Sequence, residues 1–385
     1  MTKALLALED GRSFECQSFT GHGETAGEVV FNTSMSGYQE VLTDPSYRGQ
    51  MVVMTYPLIG NYGVNPEDVE SDRVQVAAFI IKEYQEYPSN YRATESLREY
   101  LTANRVLGIH ELDTRALTRH IRTAGAMRAM ISTRDMDPAS LAARAREIPP
   151  MEGQDLVSGV STSTPYFWKD NAPAPLVSGA GSPPGPDASV WPADSAKPRV
   201  VAFDYGIKYN ILRKLSHEGL QVLVVPAATT AETVRALSPD GIFLSNGPGD
   251  PEPLDYAVST VRALFGYRPM FGICLGIQLI GLALEGRTYK LKFGHHGANQ
   301  PVQNLATGRV EISSQNHGFV VDWESLDPDA VEITHMNLND NTVEGFKHRH
   351  YPLFAVQYHP EAAPGPHDSG YLFRQFADMV RSRKS

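Results

Sequence analysis

The chain has 385 residues, more than one compact core usually holds, and this length predicts two domains. Its 44 acidic residues outnumber its 34 basic ones, and the formal net charge of -10 argues against an extended nucleic-acid surface or an anionic-membrane footprint. With only two cysteines, Cys16 and Cys274, no signal-peptide core and no long apolar run, we expect a cytoplasmic protein without a disulfide framework, whose partners are small molecules and other proteins.

Residues 1–160 are predicted to form a separate N-terminal domain of mixed α/β type. Its predicted elements are the strand-like runs MVVMTYP and VQVAAFIIKEY and helices near Thr94–Ala103 and Thr114–Thr123. The segment FNTSMSGYQEVLTDPSYRGQ is rich in small polar and turn-forming residues. Such a segment fits loops that contact a ligand and equally fits plain connections between strands, and the sequence leaves both open.

Residues 161–197 are predicted to link two domains. This stretch contains APAPLVSGAGSPPGPDAS, which has too little apolar side-chain area to build a core. A long loop inside one domain is the alternative, but loops of that length are uncommon in compact domains. We therefore place a second domain at residues 198–385.

The second domain alternates short β-branched runs with helical patterns. In chain order these are RVVAFDYG, a helix in IKYNILRKLSHEG, LQVLVVPA, a helix near Ala231–Leu237 and GIFLSNGPGDP. This repetition predicts an α/β fold with a doubly wound, mostly parallel sheet and helices on both faces. In such sheets ligands bind outside the carboxyl ends of the strands, so functional residues are expected where strands end.

One strand end carries a cysteine between two glycines, in FGICLG. An apolar run ends at Gly272 and a helical pattern begins after Cys274, so the cysteine is predicted to lie at a strand-to-helix turn. The frame G-x-C-x-G is the cysteine counterpart of the nucleophile elbow, in which glycines relieve crowding around a strained residue. The positive end of the helix dipole there favours thiolate, the attacking species. The alternative is a buried structural cysteine.

A second strand end, LFAVQYHPEA, places His359 two residues before Glu361. If the strand continues through both, their side chains point to the same face, where a carboxylate fixes the imidazole tautomer and stabilises the imidazolium. A lone histidine after a strand is more often structural. In a chain that already offers a nucleophilic cysteine, the pair favours a catalytic role.

A third strand end leads into the loop SNGPGDP. Gly247 and Gly249 leave backbone N–H groups open to an anion or a carbonyl oxygen, which suits an oxyanion hole. Phosphate binding fits less well, because the chain has neither phosphate-loop motif. A turn with a helix cap is the plain alternative.

Two pairs of histidines raise the question of a metal. They are His295 with His296 in GHHG, and His348 with His350 in KHRH. Adjacent histidines on a strand point to opposite faces, and no H-E-x-x-H or paired C-x-x-C accompanies them. We therefore predict no metal site in this chain.

Taken together, SNGPGDP, GICLGIQ and YHPEA resemble the class I glutamine amidotransferases over most of residues 198–385. Further segments resemble the small, glutaminase subunits of carbamoyl-phosphate synthases from end to end: FNTSMSGYQEVLTDPSY, GNYG, LDTRALTRHIR, FDYGIKYNILR, KFGHHGANQPV and SQNHGFVVD. The linker is longer and richer in proline than that family needs, and we expect this to affect spacing rather than chemistry.

The resemblance implies a role for each matching residue. Cys274 would be the nucleophile, His359 the base and then the acid, and Glu361 the residue that orients His359. L-glutamine would be held by a further set: Ser46 of the N-terminal domain and Gly247, Gly249, Leu275, Gln278, Asn316, Gly318 and Phe319.

The resemblance also implies the activity and the partner. Glutamine would be hydrolysed through a cysteine thioester, and the ammonia would pass to a large synthetase subunit that makes carbamoyl phosphate from bicarbonate and ATP for arginine and pyrimidine synthesis. No cofactor is expected in this chain, because ATP and metal ions would bind the large subunit. The alternatives are another amidotransferase, a γ-glutamyl hydrolase or a non-catalytic interaction module of the same fold.

Overall fold

The structure is a computed structural model that describes residues 1–176, 188–192 and 196–382. Two bodies of secondary structure follow one another along the chain. The strands of the N-terminal body are β1 (Thr2–Leu8), β2 (Ser13–Ser18), β3 (Glu24–Asn32), β4 (Gln50–Met54), β5 (Leu58–Ile59), β6 (Ala78–Ile80), β7 (Glu83–Tyr84), β8 (Leu107–His110) and β9 (Met127–Ser132). Its helices are α1 (Tyr38–Thr43), α2 (Leu97–Ala103), α3 (Thr114–Ala124) and α4 (Pro138–Arg146).

The C-terminal body is built around one large sheet. Its strands are β10 (Tyr166–Lys169), β11 (Ala172–Pro175), β12 (Arg199–Asp204), β13 (Gln221–Pro226), β14 (Gly241–Leu244), β15 (Met270–Ile273), β16 (Arg287–Asn304), β17 (Val310–Asp322), β18 (Val331–Asn337), β19 (Val343–His348) and β20 (Leu353–Val356). Its helices are α5 (Tyr209–His217), α6 (Ala231–Leu237), α7 (Asp255–Ala263), α8 (Leu275–Ala283) and α9 (Tyr371–Ser382).

Seven of the N-terminal strands close into a barrel in the order β1, β2, β8, β6, β4, β3, β9. The alternation along β1 shows how the barrel is filled, because side chains at every second position share a face. Leu6 and Leu8 lie in the barrel core, whereas Leu5 and Ala7 pack on the other side against Leu141 of α4. The helix therefore covers an apolar outer face of the barrel.

The C-terminal sheet has parallel strands at its centre and antiparallel strands at both sides. The order is β11, β10, β13, β12, β14, β15, β20, β19, β18, β16, β17, and the strands from β13 to β20 in that order run parallel. Helices α6, α7 and α8 pack on one face, and α5 and α9 pack on the other. The predicted α/β fold with helices on both faces is confirmed.

The segment 161–197, predicted to be a linker, contains the hairpin of β10 and β11. Tyr166 and Phe167 pair with β13, so the hairpin extends the edge of the C-terminal sheet. Residues 177–187 and 193–195 of the segment lie outside the described residues. The domain boundaries themselves stay a prediction.

Direct contacts hold the barrel against the sheet near the carboxyl ends of the parallel strands. Arg213 of α5 forms an ion pair of 2.9 Å with Glu70, which is almost fully buried. Near the edge of the sheet formed by β16 and β17, Lys290 of β16 pairs with Glu28 of β3 at 2.5 Å. Among the described residues, no helix combines the length and the apolar character that crossing a membrane requires.

Candidate active site

Cys274 lies between β15 and α8, in a backbone conformation that few residues adopt. Its φ is 55° and its ψ is -105°, and its side chain is buried. A side chain on Gly272 would come within 2.9 Å of the Gly276 backbone, and one on Gly276 within 2.5 Å of the carbonyl oxygen of Leu244. Only glycine fits these two positions, as the elbow interpretation predicts.

His359 and Glu361 lie beyond the end of β20, next to Cys274. Nδ1 of His359 is 2.6 Å from Oε1 of Glu361, and both side chains are buried. The expected reason for their contact was wrong, because β20 ends at Val356 and the strand does not continue through the pair. Instead, the backbone N–H of His359 donates to the carbonyl of Ser314 at 2.8 Å, and a turn follows in which Ala362 donates back to His359.

Lys208, which sequence reasoning did not single out, completes this group. Its ammonium donates to Oε1 of Glu361 at 2.9 Å and to the carbonyl oxygen of Ala362 at 2.6 Å, although the side chain is only 2% exposed. Lys208 directly follows the loop after β12, so it too lies at the carboxyl end of a parallel strand. The rule that functional residues follow strand ends was the signal that could have found it.

Charge interactions dominate the protonation of these three side chains. Burial alone would lower the pKa of His359, but the charge of Glu361 outweighs it and raises the pKa to about 10. Burial would raise the pKa of Glu361, and the charges of Lys208 and His359 instead lower it to about 2. Burial would lower the pKa of Lys208, and Glu361 raises it above its ordinary value. At neutral pH an imidazolium and an ammonium therefore share one carboxylate.

Nε2 of His359, on the opposite side of the ring from Glu361, has no hydrogen-bond partner among the residues that the structure describes. Cys274 is among the groups that raise the pKa of His359. The Cys274 thiol itself lies 3.7 Å from the carbonyl oxygen of Asn316 and 3.7 Å from the amide nitrogen of Gln357. The arrangement offers a nucleophile and a proton donor to a molecule bound beside them.

A pocket opens at Cys274 and contains most of the residues predicted to hold a substrate. The predicted residues that line it are Ser46, Gly247, Gly249, Cys274, Gln278, Asn316, Gly318 and Phe319. Leu275 differs, since its side chain packs in the core, while its backbone begins α8. The pocket also includes residues that were not predicted: Glu28, Gln50, Met151, His296 and His317.

The N-terminal domain contributes Ser46 through the turn at Pro45–Tyr47. Asp44 caps this turn by accepting from the backbone N–H of Ser46 at 2.9 Å. The hydroxyl of Ser46 accepts from the side-chain amide of Asn246, in the loop after β14, also at 2.9 Å. Of the two roles that the sequence left open for this segment, contact with a pocket is the one consistent with these positions.

Asn316 is held from two sides. Its amide nitrogen donates to Asp44 at 2.8 Å, and its amide oxygen lies 2.8 Å from Nδ1 of His296. Burial lowers the pKa of His296 to about 4, so the ring is neutral and its Nδ1–H donates to Asn316. On α8, Gln278 donates to the carbonyl oxygen of Phe319 at 2.7 Å.

Gly247 brings the loop after β14 against the start of α8. A side chain there would meet the carbonyl oxygen of Tyr205 at 2.3 Å and the side chain of Leu275 at 2.7 Å. Gly249 has a φ of 80°, which favours glycine. The elements that carry Lys208, Gly247, Cys274 and His359 follow β12, β14, β15 and β20, which are neighbours in the sheet.

Comparisons with known proteins agree with this arrangement. Residues 6–131 match the family model "Carbamoyl-phosphate synthase small chain, CPSase domain", and residues 201–379 match "Glutamine amidotransferase class-I". A protein named carbamoyl phosphate synthase small chain from Syntrophotalea carbinolica is 56% identical over 384 residues, which cover 99% of each chain. The chain belongs to the family of carbamoyl phosphate synthase small chains.

Other members of the small-chain family are similarly close. The proteins of that name from Nitratidesulfovibrio vulgaris strain Miyazaki F and Aquifex aeolicus are 58% and 53% identical. These alignments cover 98% of this chain and 98% and 99% of the relatives. The resemblance recognised in the sequence is confirmed, as is the enzyme class, a glutamine amidotransferase subunit of carbamoyl phosphate synthase. The family name, small chain, also implies a large chain as its partner.

Proposed function

We propose that this chain hydrolyses L-glutamine to glutamate and ammonia and passes the ammonia to a large synthetase subunit. The observation that carries the proposal is Cys274 at a strained strand-to-helix turn, beside the buried His359–Glu361 pair and a polar pocket. An amide is an unreactive substrate that needs both a strong nucleophile and a proton for its leaving nitrogen. The site has a group for each task.

In the first step the thiolate of Cys274 attacks the side-chain amide carbon of glutamine. The negative charge on the amide oxygen is stabilised by backbone N–H groups, for which we propose Gly247, Gly249 and Leu275. The imidazolium of His359 then gives its proton to the departing nitrogen, and ammonia leaves behind a γ-glutamyl thioester. Glu361 keeps the ring oriented and stabilises its charged form.

In the second step water cleaves the thioester. His359, now neutral, accepts a proton from the attacking water, and the thiolate of Cys274 leaves. Glutamate and the imidazolium form of His359 result, which restores the starting state. Lys208 takes part only by holding Glu361, because its ammonium contacts Glu361 and Ala362.

We propose that glutamine is held by Ser46, Gln278, Asn316, Gly318 and Phe319. The support is their common position around one pocket, together with the hydrogen bonds that fix Asn316 and Gln278 in place. The N-terminal domain would then complete the substrate site rather than only bind a partner. Ser46 is its proposed contribution.

The proposed partner is the large chain of the synthase. Ammonia that escaped into bulk water would be protonated and lost as a nucleophile, so a protected passage to the large chain is needed. There it would join bicarbonate activated by ATP to give carbamoyl phosphate, for arginine and pyrimidine synthesis. Binding of ATP and metal ions by the large chain, a cytoplasmic location and the absence of nucleic-acid binding stay predictions.

The thioester gives a direct test of the proposed chemistry. The purified chain is mixed with glutamine, quenched in acid within a turnover and digested, and the peptides are analysed by mass spectrometry. A γ-glutamyl group is expected on Cys274. Cys16 is the internal control, because it is buried in the barrel core and burial raises its pKa to about 12.

The Cys16→Ser variant should still form the adduct and hydrolyse glutamine at close to the normal rate. Turnover of glutamine without an adduct on Cys274 at any quench time, together with activity that survives Cys274→Ser, would contradict the mechanism. Absence of any glutaminase activity, with and without the large chain, would contradict the function itself.

A further inference from the structure

A row of polar side chains runs from the surface to the rear wall of the pocket. Asp340 is partly exposed, and its carboxylate lies 2.8 Å from Nε2 of His295. Nδ1 of His295 lies 3.9 Å from Oε1 of Glu344, which accepts from the amide nitrogen of Gln315 at 2.8 Å. The amide oxygen of Gln315 then lies 3.1 Å from Nε2 of His317, which lines the pocket.

His317 has too few protons for its two neighbours. Its Nδ1 faces the carbonyl oxygen of Phe319 at 3.1 Å, and its Nε2 faces the amide oxygen of Gln315 at the same distance. Both oxygens only accept hydrogen bonds. Burial holds the pKa of His317 well below its ordinary value, so the ring is neutral and has one N–H. One of the two oxygens therefore receives no hydrogen bond from His317.

The protonation of Glu344 decides which oxygen that is. An ionised Glu344 accepts only, so it holds the NH₂ group of Gln315 toward itself, and the same NH₂ group donates to the hydroxyl of Ser313 at 3.2 Å. The amide oxygen is then left toward His317. A protonated Glu344 can donate instead, which allows the amide of Gln315 to rotate by half a turn. The NH₂ group then donates to Nε2 of His317, and the proton on Nδ1 serves Phe319.

We propose that Glu344 is a positioning residue of the substrate pocket, which sets the tautomer of His317 through the side-chain amide of Gln315. The proposal rests on the proposed glutaminase function for the identity of the substrate. The pocket is affected through the carbonyl oxygen of Phe319. This oxygen accepts from Gln278 in both states, and it accepts from His317 only when the proton of the ring is on Nδ1. Glu344 thereby acts on substrate binding without touching the substrate.

The surroundings of Glu344 place its titration near neutral pH. Its side chain is fully buried, and within the described part of the chain Oε2 has no hydrogen-bond partner. Burial raises its pKa to about 7, against the opposing effects of His295 and of hydrogen bonds from Asn337 and Gln315. The titratable groups that face it from the surrounding elements are His295 of β16, Asp340 of the turn before β19 and Tyr358 after β20.

A metal ion is the alternative explanation for this cluster. His295, His317 and Glu344 each offer a ligand atom, and these atoms lie within 4.8 Å of one another. However, Nε2 of His295 already pairs with Asp340, and Oε1 of Glu344 already accepts from two amides. Both ring nitrogens of His317 also face oxygens. Nδ1 of His295 and Oε2 of Glu344 remain without a hydrogen-bond partner among the described residues, so metal binding is measured as one outcome of the test.

The test follows the tautomer of His317 directly. The full-length chain is labelled with ¹⁵N-histidine, the His317 signals are assigned by substitution, and the ring nitrogens are recorded between about pH 6 and 8, around the pKa of Glu344. The wild type should change from the Nδ1–H to the Nε2–H tautomer as pH rises. Glu344→Gln should abolish this change. Glu332→Gln, which alters a half-buried carboxylate on β18 that pairs with Lys347, should preserve it.

Glutamine kinetics over the same pH range supply the second measurement. Loss of one neutral hydrogen bond changes a binding constant by about two- to tenfold. The KM of the wild type for glutamine should therefore vary with pH by about that factor. Glu344→Gln should remove this component of the variation and leave kcat within about twofold. The folding of each variant is checked by its thermal unfolding.

Three outcomes would overturn the proposal. They are a His317 tautomer that does not change with pH in the wild type, a change that survives in Glu344→Gln, and bound metal at one equivalent that Glu344→Gln removes. The ¹⁵N spectra report the tautomer of His317 whether or not the chain hydrolyses glutamine. A pH-dependent tautomer in a chain without glutaminase activity would therefore contradict the proposed function and leave the role of Glu344 standing.

Discussion

Glu361 is the residue on which the charges of the site converge. Its one carboxylate holds the imidazolium of His359 at 2.6 Å and the ammonium of Lys208 at 2.9 Å, all three buried. The sequence drew attention to His359 and Glu361 because they are two positions apart, although the strand expected to align them ends at Val356. Lys208 is 153 positions from Glu361, and no local pattern reveals that a lysine so distant in sequence is buried beside it.

We predict that Lys208→Met destabilises the protein and slows catalysis. Removal of one partner from a buried ion pair leaves the other charge with less compensation, which typically costs roughly 3–5 kcal/mol of unfolding free energy. Glutamine turnover should fall by at least about tenfold, because Glu361 then orients His359 less firmly. Urea unfolding and a glutaminase assay measure the two effects.

Lys214→Met is the matched control for that substitution. Lys214 lies in the last turn of the same helix, α5, and is not among the residues that line the pocket. It should change stability by less than about 1 kcal/mol and leave turnover intact. Equal effects of the two variants would show that Lys208 has no special role at Glu361.

The pKa of His359 gives a prediction for the pH dependence of stability. Its pKa is about 10 in the folded chain against an ordinary 6.5, so its contribution is fully present below pH 6.5 and is lost as pH rises through about 10. The difference in unfolding free energy between wild type and His359→Asn should therefore shrink over that interval. Urea titrations from pH 6 to 10.5 measure it, and a constant difference would contradict the charged pair.

At the scale of elements, the strand–turn–helix around Cys274 could be predicted because its rule is local. Two glycines around one residue already imply a tight turn, and the structure shows which backbone atoms leave no room for a side chain at Gly272 and Gly276. The second strand end was predicted less well. Beyond Val356, His359 pairs with Ser314 of β17 through an isolated β-bridge. The alternation of side chains within one strand does not reveal a pairing with a residue so far away in the sequence.

We predict that Gly276→Ala disturbs the elbow. The added methyl group would lie 2.5 Å from the carbonyl oxygen of Leu244, so α8 must move away from β14. Overpacking of this kind costs about 1–3 kcal/mol, and the shift of Cys274 should lower kcat more than it raises KM. Thermal unfolding and steady-state kinetics measure both effects.

Gly159→Ala makes the same chemical change where a side chain meets nothing within 4 Å. This control should keep the stability and the kinetics of the wild type within error. If Gly276→Ala behaved in the same way, the close approach of α8 to β14 would not be what positions Cys274.

For the whole molecule, the α/β body was predictable and the barrel was not. Repeated β–α units predict a parallel sheet. Closure of the barrel depends instead on the pairing of strands that are far apart in sequence, such as β1 with β9. The role of the segment around Ser46 also depends on a contact between distant parts of the chain. Its hydroxyl meets Asn246 only because barrel and sheet pack together, so the sequence alone left its role open.

Limited proteolysis tests the predicted linker at 161–197. Because β10 pairs with β13, the first cuts should fall after Pro175 rather than in the hairpin. The two pieces should remain associated under native conditions through contacts such as Arg213 with Glu70. First cuts inside the C-terminal sheet would contradict the boundary, and pieces that separate without denaturant would contradict the importance of these contacts.

The proposed role of Cys274 in supplying ammonia is tested with Cys274→Ser in a complex reconstituted with the large chain. Serine replaces the thiol by a hydroxyl that is almost wholly protonated at neutral pH, while the fold and the pocket should change little. Carbamoyl phosphate formation is assayed with glutamine and, separately, with ammonia as the nitrogen donor. We expect synthesis from glutamine to disappear and synthesis from ammonia to persist at close to the wild-type rate. Synthesis from glutamine that survives the substitution, or the loss of both activities, would show that Cys274 is not the nucleophile that supplies ammonia.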